Sequence, residues 1–470
     1  MVFSSTLFIF FFLPAVLLAY FAVPAKFKNS VLLLFSLVFY AWGEPVYILI
    51  MLFSAVFDYA NGLLIERFYA RSKYGAAKLV LICSVAGNIG ILGFFKYCNF
   101  FIKNANMLIG SDFSLINIAL PIGISFYTFQ TLSYTIDVYR RNIKAQRNII
   151  DFATYVTMFP QLVAGPIVQY NDIEKQLCLR RTATDGFLFG IKRFIIGLAK
   201  KVLLANNIGL LWQQISDSNL SALSASEAWL GATAFSFQIF FDFSGYSDMA
   251  IGLGEMFGFH FKENFNYPYC AKSITEFWHR WHISLGTWFR DYVYIPLGGN
   301  RKGLKRQILN ILIVWSLTGL WHGASWNFVV WGIYFGVLLI IEKVFLLKWL
   351  CKHKIVSHIY TVFFVIISWV IFASDNITDA LLFLKAMFGI GCAGIFSLSS
   401  LYYFGSYAVI LIVCTVFSTN FFINKKFIAV TSRFTKISKI SEAAAYSAVF
   451  FISVAFLVSD SYNPFLYFRF

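Results

Sequence analysis

Residues 308–341 read ILNILIVWSLTGL, then WHGAS, then WNFVVWGIYFGVLLII. Two apolar stretches, Ile308 to Leu320 and Trp326 to Ile341, enclose the short break Trp321-His322-Gly323-Ala324-Ser325. Arg301, Lys302, Lys305 and Arg306 precede the pair, and Lys343, Lys348, Lys352 and Lys354 follow it. Lys and Arg collect in cytoplasmic loops of membrane proteins. Both flanks therefore belong on one side, and the segment reads as an inward-folding pair of half-length helices. The 13 residues of the first stretch, if helical, reach about 20 Å. That places His322 deep in the bilayer or towards its far leaflet, at the tip of a buried break. A single long tilted span is the alternative that charge counting leaves open.

The whole chain fits a bilayer. Of its 470 residues 59% are hydrophobic, 20% aromatic and 13% charged, where a soluble domain carries roughly a quarter charged residues. Apolar segments of spanning length recur from end to end. The expected fold is an all-α, polytopic membrane helical bundle of about 11–12 spans. Broken or re-entrant helices and interfacial helices would surround a central tunnel within a single domain, 1–470. The net charge of +16 is what the positive-inside rule requires. No basic–aromatic pattern on a soluble element points to nucleic acid. The seven cysteines show no CxxC spacing and sit mostly in or beside apolar segments, so neither a disulfide framework nor a metal site is expected.

Basic clusters after the first span (Lys26, Lys28), after the third (Arg67, Arg71, Lys73, Lys78) and after the fifth (Arg140, Arg141, Lys144, Arg147) place the N-terminus outside a cytoplasmic membrane. Lys425, Lys426, Arg433, Lys436 and Lys439 make one more inside loop. The stretch 159–167 carries two prolines and a glycine and reads as a broken element. The long apolar segment 226–257 holds Asp242 and Asp248, which should face the bundle interior. Residues 260–306 mix Trp and Phe with Arg, His and Glu, as helices lying in the interface do.

Two histidines stand out because an ionisable group at membrane depth is by default a functional candidate. His322 lies between Gly319 and Gly323, which permit close approach of a substrate or helix. A helix break there also frees backbone N–H groups that could hold an oxyanion. His282 lies in Arg280-Trp281-His282. Imidazole can exchange a proton near neutral pH. Arg290, Asp291 and Tyr294 form a polar patch that could brace or contact a phosphate. His279 shares a helical face with His282, but no third metal ligand is evident and no HExxH occurs. P-loop, GxGxxG and GxSxG patterns are likewise missing, leaving ATP hydrolysis and serine-esterase chemistry without support.

The motifs FWxRWHISLxxWxRDYxYxPLGGNR at 277–301, GLWHGAxW at 319–326, FDFSGYSDMAIG at 241–252 and FPQLVAGPI at 159–167 resemble the membrane-bound O-acyltransferase family, in its alginate O-acetylation branch. The opening MVFSS and closing PFLYFRF are similar to that branch too, so the likeness runs nearly the whole chain. The resemblance implies acyl transfer, with His322 as the catalytic residue and His282 as the second essential one. It implies no bound cofactor, acetyl-CoA as donor, and an exported polysaccharide acceptor, reached with a separate extracytoplasmic acetyltransferase protein as partner. Trp321, Gly319, Gly323, Arg280, Trp281, Asp242, Asp248, Arg290, Asp291 and Tyr294 are candidates to line the substrate path; His279 is excluded. Acetylation of peptidoglycan and D-alanyl transfer to teichoic acid are variants on the same fold. A polysaccharide or proton-coupled transporter is the rival of a different class, because broken helices and intramembrane carboxylates also suit carriers.

Overall fold

Helix follows helix through the computed structural model of the chain, which describes residues 1–163, 165–180, 182–421, 439–459 and 466. Seven helices among these are long and apolar enough to cross a membrane: Ile48–Ala70, Tyr74–Ile109, Thr184–Ser216, Trp326–Leu350, Lys354–Ala373, Leu398–Phe417 and Ile440–Ser459. The protein is an all-α, polytopic membrane protein. Other expected spans are shorter or more polar. The helix expected near 115 begins only at Ile124, because Pro121 and Gly123 (φ +76°) form a turn first. The Asp-bearing segment is one helix, Ala225–Met256. The basic loop at Lys425, Lys426, Arg433 and Lys436 lies outside the described residues.

The chain divides into two compact units, Met1–Phe194 with Met249–Lys262, and Ile195–Asp248 with Glu263–Phe470. In the first, Phe3, Phe8, Phe12, Phe39 and Phe159 form one aromatic cluster. Phe159 belongs to the proline-bearing element, which breaks between Ile149–Thr157 and Phe159–Leu162 at Met158. The Phe159 N–H, freed by that break, donates to Ser36 Oγ at 3.0 Å. Non-helical backbone at membrane depth survives only where such partners exist. Asp58, fully buried, accepts from Ser84 Oγ at 2.6 Å and Asn88 Nδ2 at 2.7 Å.

In the second unit the helix Gly303–His322 turns back into Trp326–Ile341. A Cβ on Gly319 would meet the Phe328 carbonyl oxygen and Gly332 Cα; one on Gly332 would meet the Trp315 carbonyl oxygen; one on Gly336 would meet Leu312. These pairings run antiparallel, so the segment is a helical hairpin and not one long span. Its legs are longer than half-length. The first has 20 residues, about 30 Å, because the basic turn Gly303 to Gln307 is helical as well. Gly323 is extended (φ −164°, ψ 156°) and ends the first leg. A Cβ there would overlap the Phe328 ring.

Asp242 and Asp248 do face inward, and each meets a lysine. Lys200 and Lys201 open a π-helical turn, Lys200–Asn206. Lys201 Nζ lies 2.6 Å from Asp242 Oδ1, and Lys200 Nζ lies 2.6 Å from Asp248 Oδ2. The helices approach because residue 245 is glycine; its Cβ would sit 2.8 Å from the Gly197 carbonyl oxygen. Asp242 also accepts the Leu466 N–H at 2.9 Å. Asp242→Ala leaves the Lys201 ammonium buried without this partner, and should cost about 3–5 kcal/mol. The double change Asp242→Leu with Lys201→Met should recover most of that loss. Thermal unfolding of the detergent-solubilised variants reads both.

Candidate active site

His282 stands between two short helices, Ile274–Arg280 and Ile283–Phe289. The first is fixed at its start by Glu342, whose fully buried carboxylate accepts from Ile274 N (2.6 Å), Thr275 N (2.9 Å) and Thr275 Oγ1 (2.7 Å). A carboxylate at a helix N-terminus satisfies orphan N–H groups and complements the helix dipole. The second helix is fixed by Asn264. Its carbonyl accepts from Ile283 N at 2.9 Å, and its Oδ1 accepts from Ser284 N (3.0 Å) and Ser284 Oγ (2.9 Å). Between these anchors His282 takes φ +46°, ψ 52°, a conformation costing a non-glycine residue of order 1–3 kcal/mol and found mostly at functional sites. The side chain is 2% exposed. Neither ring nitrogen hydrogen-bonds to another described residue. Burial pushes this imidazole, which lies outside the seven candidate spans, down to about 3. It is neutral at physiological pH.

His322 is the last residue of the first hairpin leg. Its ring is 7% exposed and ringed by Trp321 (5.0 Å between centroids), Trp331 (5.0 Å) and Phe372 (5.2 Å). The Trp321 indole lies 6.0 Å from the His282 ring, so one indole ring stands between the two histidines. Trp278, Trp315, Trp331 and Trp369 continue the cage, mostly in tilted or edge-to-face pairs, the geometry that aromatic quadrupoles favour.

Two cavities reach this cage. A cavity of about 600 Å³ is lined by Thr275, His279, His282, Arg290, Tyr294 and Thr318, among others. A second, about 250 Å³, is lined by Gly323, Ser325, Asn327, Ser374, Asp375 and Leu466, among others. The His322 ring lines neither. Among the described residues of the second unit, these two cavities lie beside the cage. Trp321 packs against both histidine rings, and Phe328, which lines the smaller cavity, packs on Phe372 beside His322.

The structure thus gathers only part of the expected set. His282, Arg290 and Tyr294 share the larger cavity, with Asp291 bracing Arg290 at 2.8 and 3.2 Å. Gly319 and Gly323 shape the hairpin, and Trp321 lies between the histidines. Arg280 is held by Glu276 at 2.6 Å, and Trp281 packs on Phe277 and Trp369; neither lines either of these two cavities. Asp242 and Asp248 are engaged with lysines. His279, excluded on sequence, does line the larger cavity. Glu342 and Asn264 were missed. A lone carboxylate in the apolar run 337–350 is a signal for Glu342; nothing in the sequence marks Asn264. Among the described residues no group of three or more His, Cys, Asp or Glu is placed to hold a metal.

The family model of the membrane-bound O-acyltransferases matches residues 74–378. The chain is 44% identical to the "Probable alginate O-acetylase AlgI" of Azotobacter vinelandii over 398 residues, covering 83% of this chain and 79% of that one. It is 38% identical to the protein of that name from Pseudomonas putida over the full length of both. It is 35% identical to the "Peptidoglycan O-acetyltransferase" of Helicobacter pylori over 435 residues, covering 85% of this chain and 82% of that one.

The depressed pKa of His282 has a consequence for stability. Unfolded histidine takes up a proton below about 6.5, whereas the folded site excludes it. His282 therefore costs no stability above about pH 6.5, and stability falls as pH drops from there towards 3, by up to about 1.4 kcal/mol per pH unit. His282→Asn, which tolerates positive φ, should flatten that slope in apparent melting temperatures taken from pH 7.5 to 5.

Proposed function

The chain belongs to the membrane-bound O-acyltransferase family, and on that premise we propose that it moves acetyl groups from cytoplasmic acetyl-CoA across the membrane for O-acetylation of an exported, alginate-like polysaccharide. It is an acyltransferase; family membership displaces the transporter alternative. The observation that carries the finer reading is His282: neutral, strained and with no hydrogen bond from its ring nitrogens to another described residue, at the wall of a 600 Å³ cavity, one indole ring from His322.

On this reading the larger cavity takes the thioester end of the donor, with Arg290, steadied by Asp291, and Tyr294 at its wall. His282 supplies a ring nitrogen to orient the acyl group. The acceptor comes from the side of Gly323. His322 takes the proton of the acceptor hydroxyl as its oxygen bonds to the acyl carbon. The C–S bond then breaks, and the thiol leaves with a proton returned from the imidazole. The Gly323 N–H is bonded to Gly319 O only at 3.4 Å, which leaves it available to the oxyanion. Rotation of Trp321 and Phe328 would join the two cavities for turnover. The N-terminus lies outside a cytoplasmic membrane, and an extracytoplasmic acetyltransferase completes delivery to the polymer.

His322→Ala should lower O-acetylation of envelope polysaccharide by about 10²–10⁴-fold, the usual loss for a general base. Protein level and polymer export should stay unchanged. Mass spectrometry of envelope glycans from cells carrying the wild-type or variant protein measures this. Unchanged acetylation in the variant, or a D-alanyl group in place of acetyl, would overturn the reading.

A further inference from the structure

The smaller cavity holds a feature that packing does not explain. Asn327 is 1% exposed. Its Nδ2 donates to the Ser374 carbonyl at 2.8 Å and the Ile371 carbonyl at 3.5 Å. Two carbonyl acceptors fix the amide, so nitrogen and oxygen cannot be interchanged. Its Oδ1 is buried without a hydrogen-bond partner among the described residues. A buried amide oxygen left unpaired forfeits its hydration without compensation, and a donor arriving in the cavity restores the missing hydrogen bond. Ser325, Ser374 and Asp375 line the same space, with Gly323, next to His322, in its wall. At about 250 Å³ the space is just below the usual range for small-molecule sites. It accommodates one hydroxyl-bearing group, not a length of polymer.

Charge narrows the choice of ligand. Asp375 is the one acidic or basic residue among the described residues lining the cavity, and it is exposed at the rim. A carboxylate at the entrance repels an anionic acceptor, while an uncharged alcohol meets no such penalty. Taking the acyl-transfer reading above as given, we propose that this cavity is an acceptor subsite selective for a neutral hydroxyl. Asn327 Oδ1 accepts the hydrogen bond of one hydroxyl of the entering group, and Asp375 discriminates against acidic acceptors. A polyanionic polymer would then receive its acetyl group in a later transfer from the neutral alcohol loaded here.

The test uses the full-length protein in nanodiscs with acetyl-CoA and either methyl mannoside or methyl mannuronate as acceptor. Release of CoA thiol and acetylated glycoside are both followed. The wild type should favour the neutral glycoside by about tenfold or more in kcat/KM, and Asp375→Asn should shrink that preference to about threefold or less. Asn327→Leu should raise KM for the neutral glycoside by about tenfold or more. Because Asp375 lies on the exposed rim, its variant reads selectivity without touching the buried packing. Equal use of the two glycosides with normal CoA release, or an unchanged preference in Asp375→Asn, overturns the subsite alone. Wild-type protein that releases no CoA with either glycoside or with water overturns the acetyl-CoA reading and the subsite with it.

Discussion

Backbone contact between Gly319 and Gly332 sets the geometry of the second unit. Lipid is as apolar as leucine, so apolar side chains alone give two helices little reason to associate in a membrane; small residues let the backbones close on each other. Here a methyl group on either glycine would strike a carbonyl oxygen of the opposite leg. With the two legs locked, the turn at Gly323 is fixed, and His322 is held at the tip. The aromatic cage then closes around that imidazole: Trp331 from the returning leg, Phe372 from the helix Lys354–Ala373, and Trp321 from its own helix. The catalytic candidate is thus placed by close backbone packing and a surround of aromatic rings.

His282 is placed by the opposite means. Its backbone is strained and its ring nitrogens make no hydrogen bond to another described residue, so the conformation must be imposed from outside. Asn264 and Glu342 do so through six hydrogen bonds in all. They hold the two flanking helices and make no contact with the ring itself. Rigid support of this sort is how proteins keep a reactive side chain in a conformation it would not choose. The ring nitrogens stay available because the support acts on the backbone.

The hairpin was legible in the sequence, because basic residues at both ends and glycines at spacings of four advertise a return and a close crossing. Its length was not, since Gly303 to Gln307 is too polar for an apolar-run reading yet still helical. The broken element at Phe159 was legible from its prolines. Asp242 and Asp248 were legible as inward-facing, but their partners were not. Lys200 and Lys201 are more than forty positions away, and the π-helical turn that aims both at the carboxylates leaves no periodic signal. Whether Trp321 fills a passage or lines one depends on rotamers, and one-dimensional pattern carries no information about those. Asn327 escaped notice for the same reason: an amide beside a WHG motif is unremarkable until its two hydrogen-bond ends are located.

The claim that His322 passes an acyl group from one face of the membrane to the other is tested most directly in sealed vesicles. Purified protein is reconstituted, radiolabelled acetyl-CoA is trapped inside, and a membrane-impermeant neutral glycoside is supplied outside. Label should accumulate on the outer glycoside with the wild-type protein and remain at background with His322→Ala, the vesicles staying sealed in both. Transfer by the His322→Ala protein at the wild-type rate would contradict the central role given to that imidazole. Label confined to the lumen of wild-type vesicles would contradict transfer across the membrane.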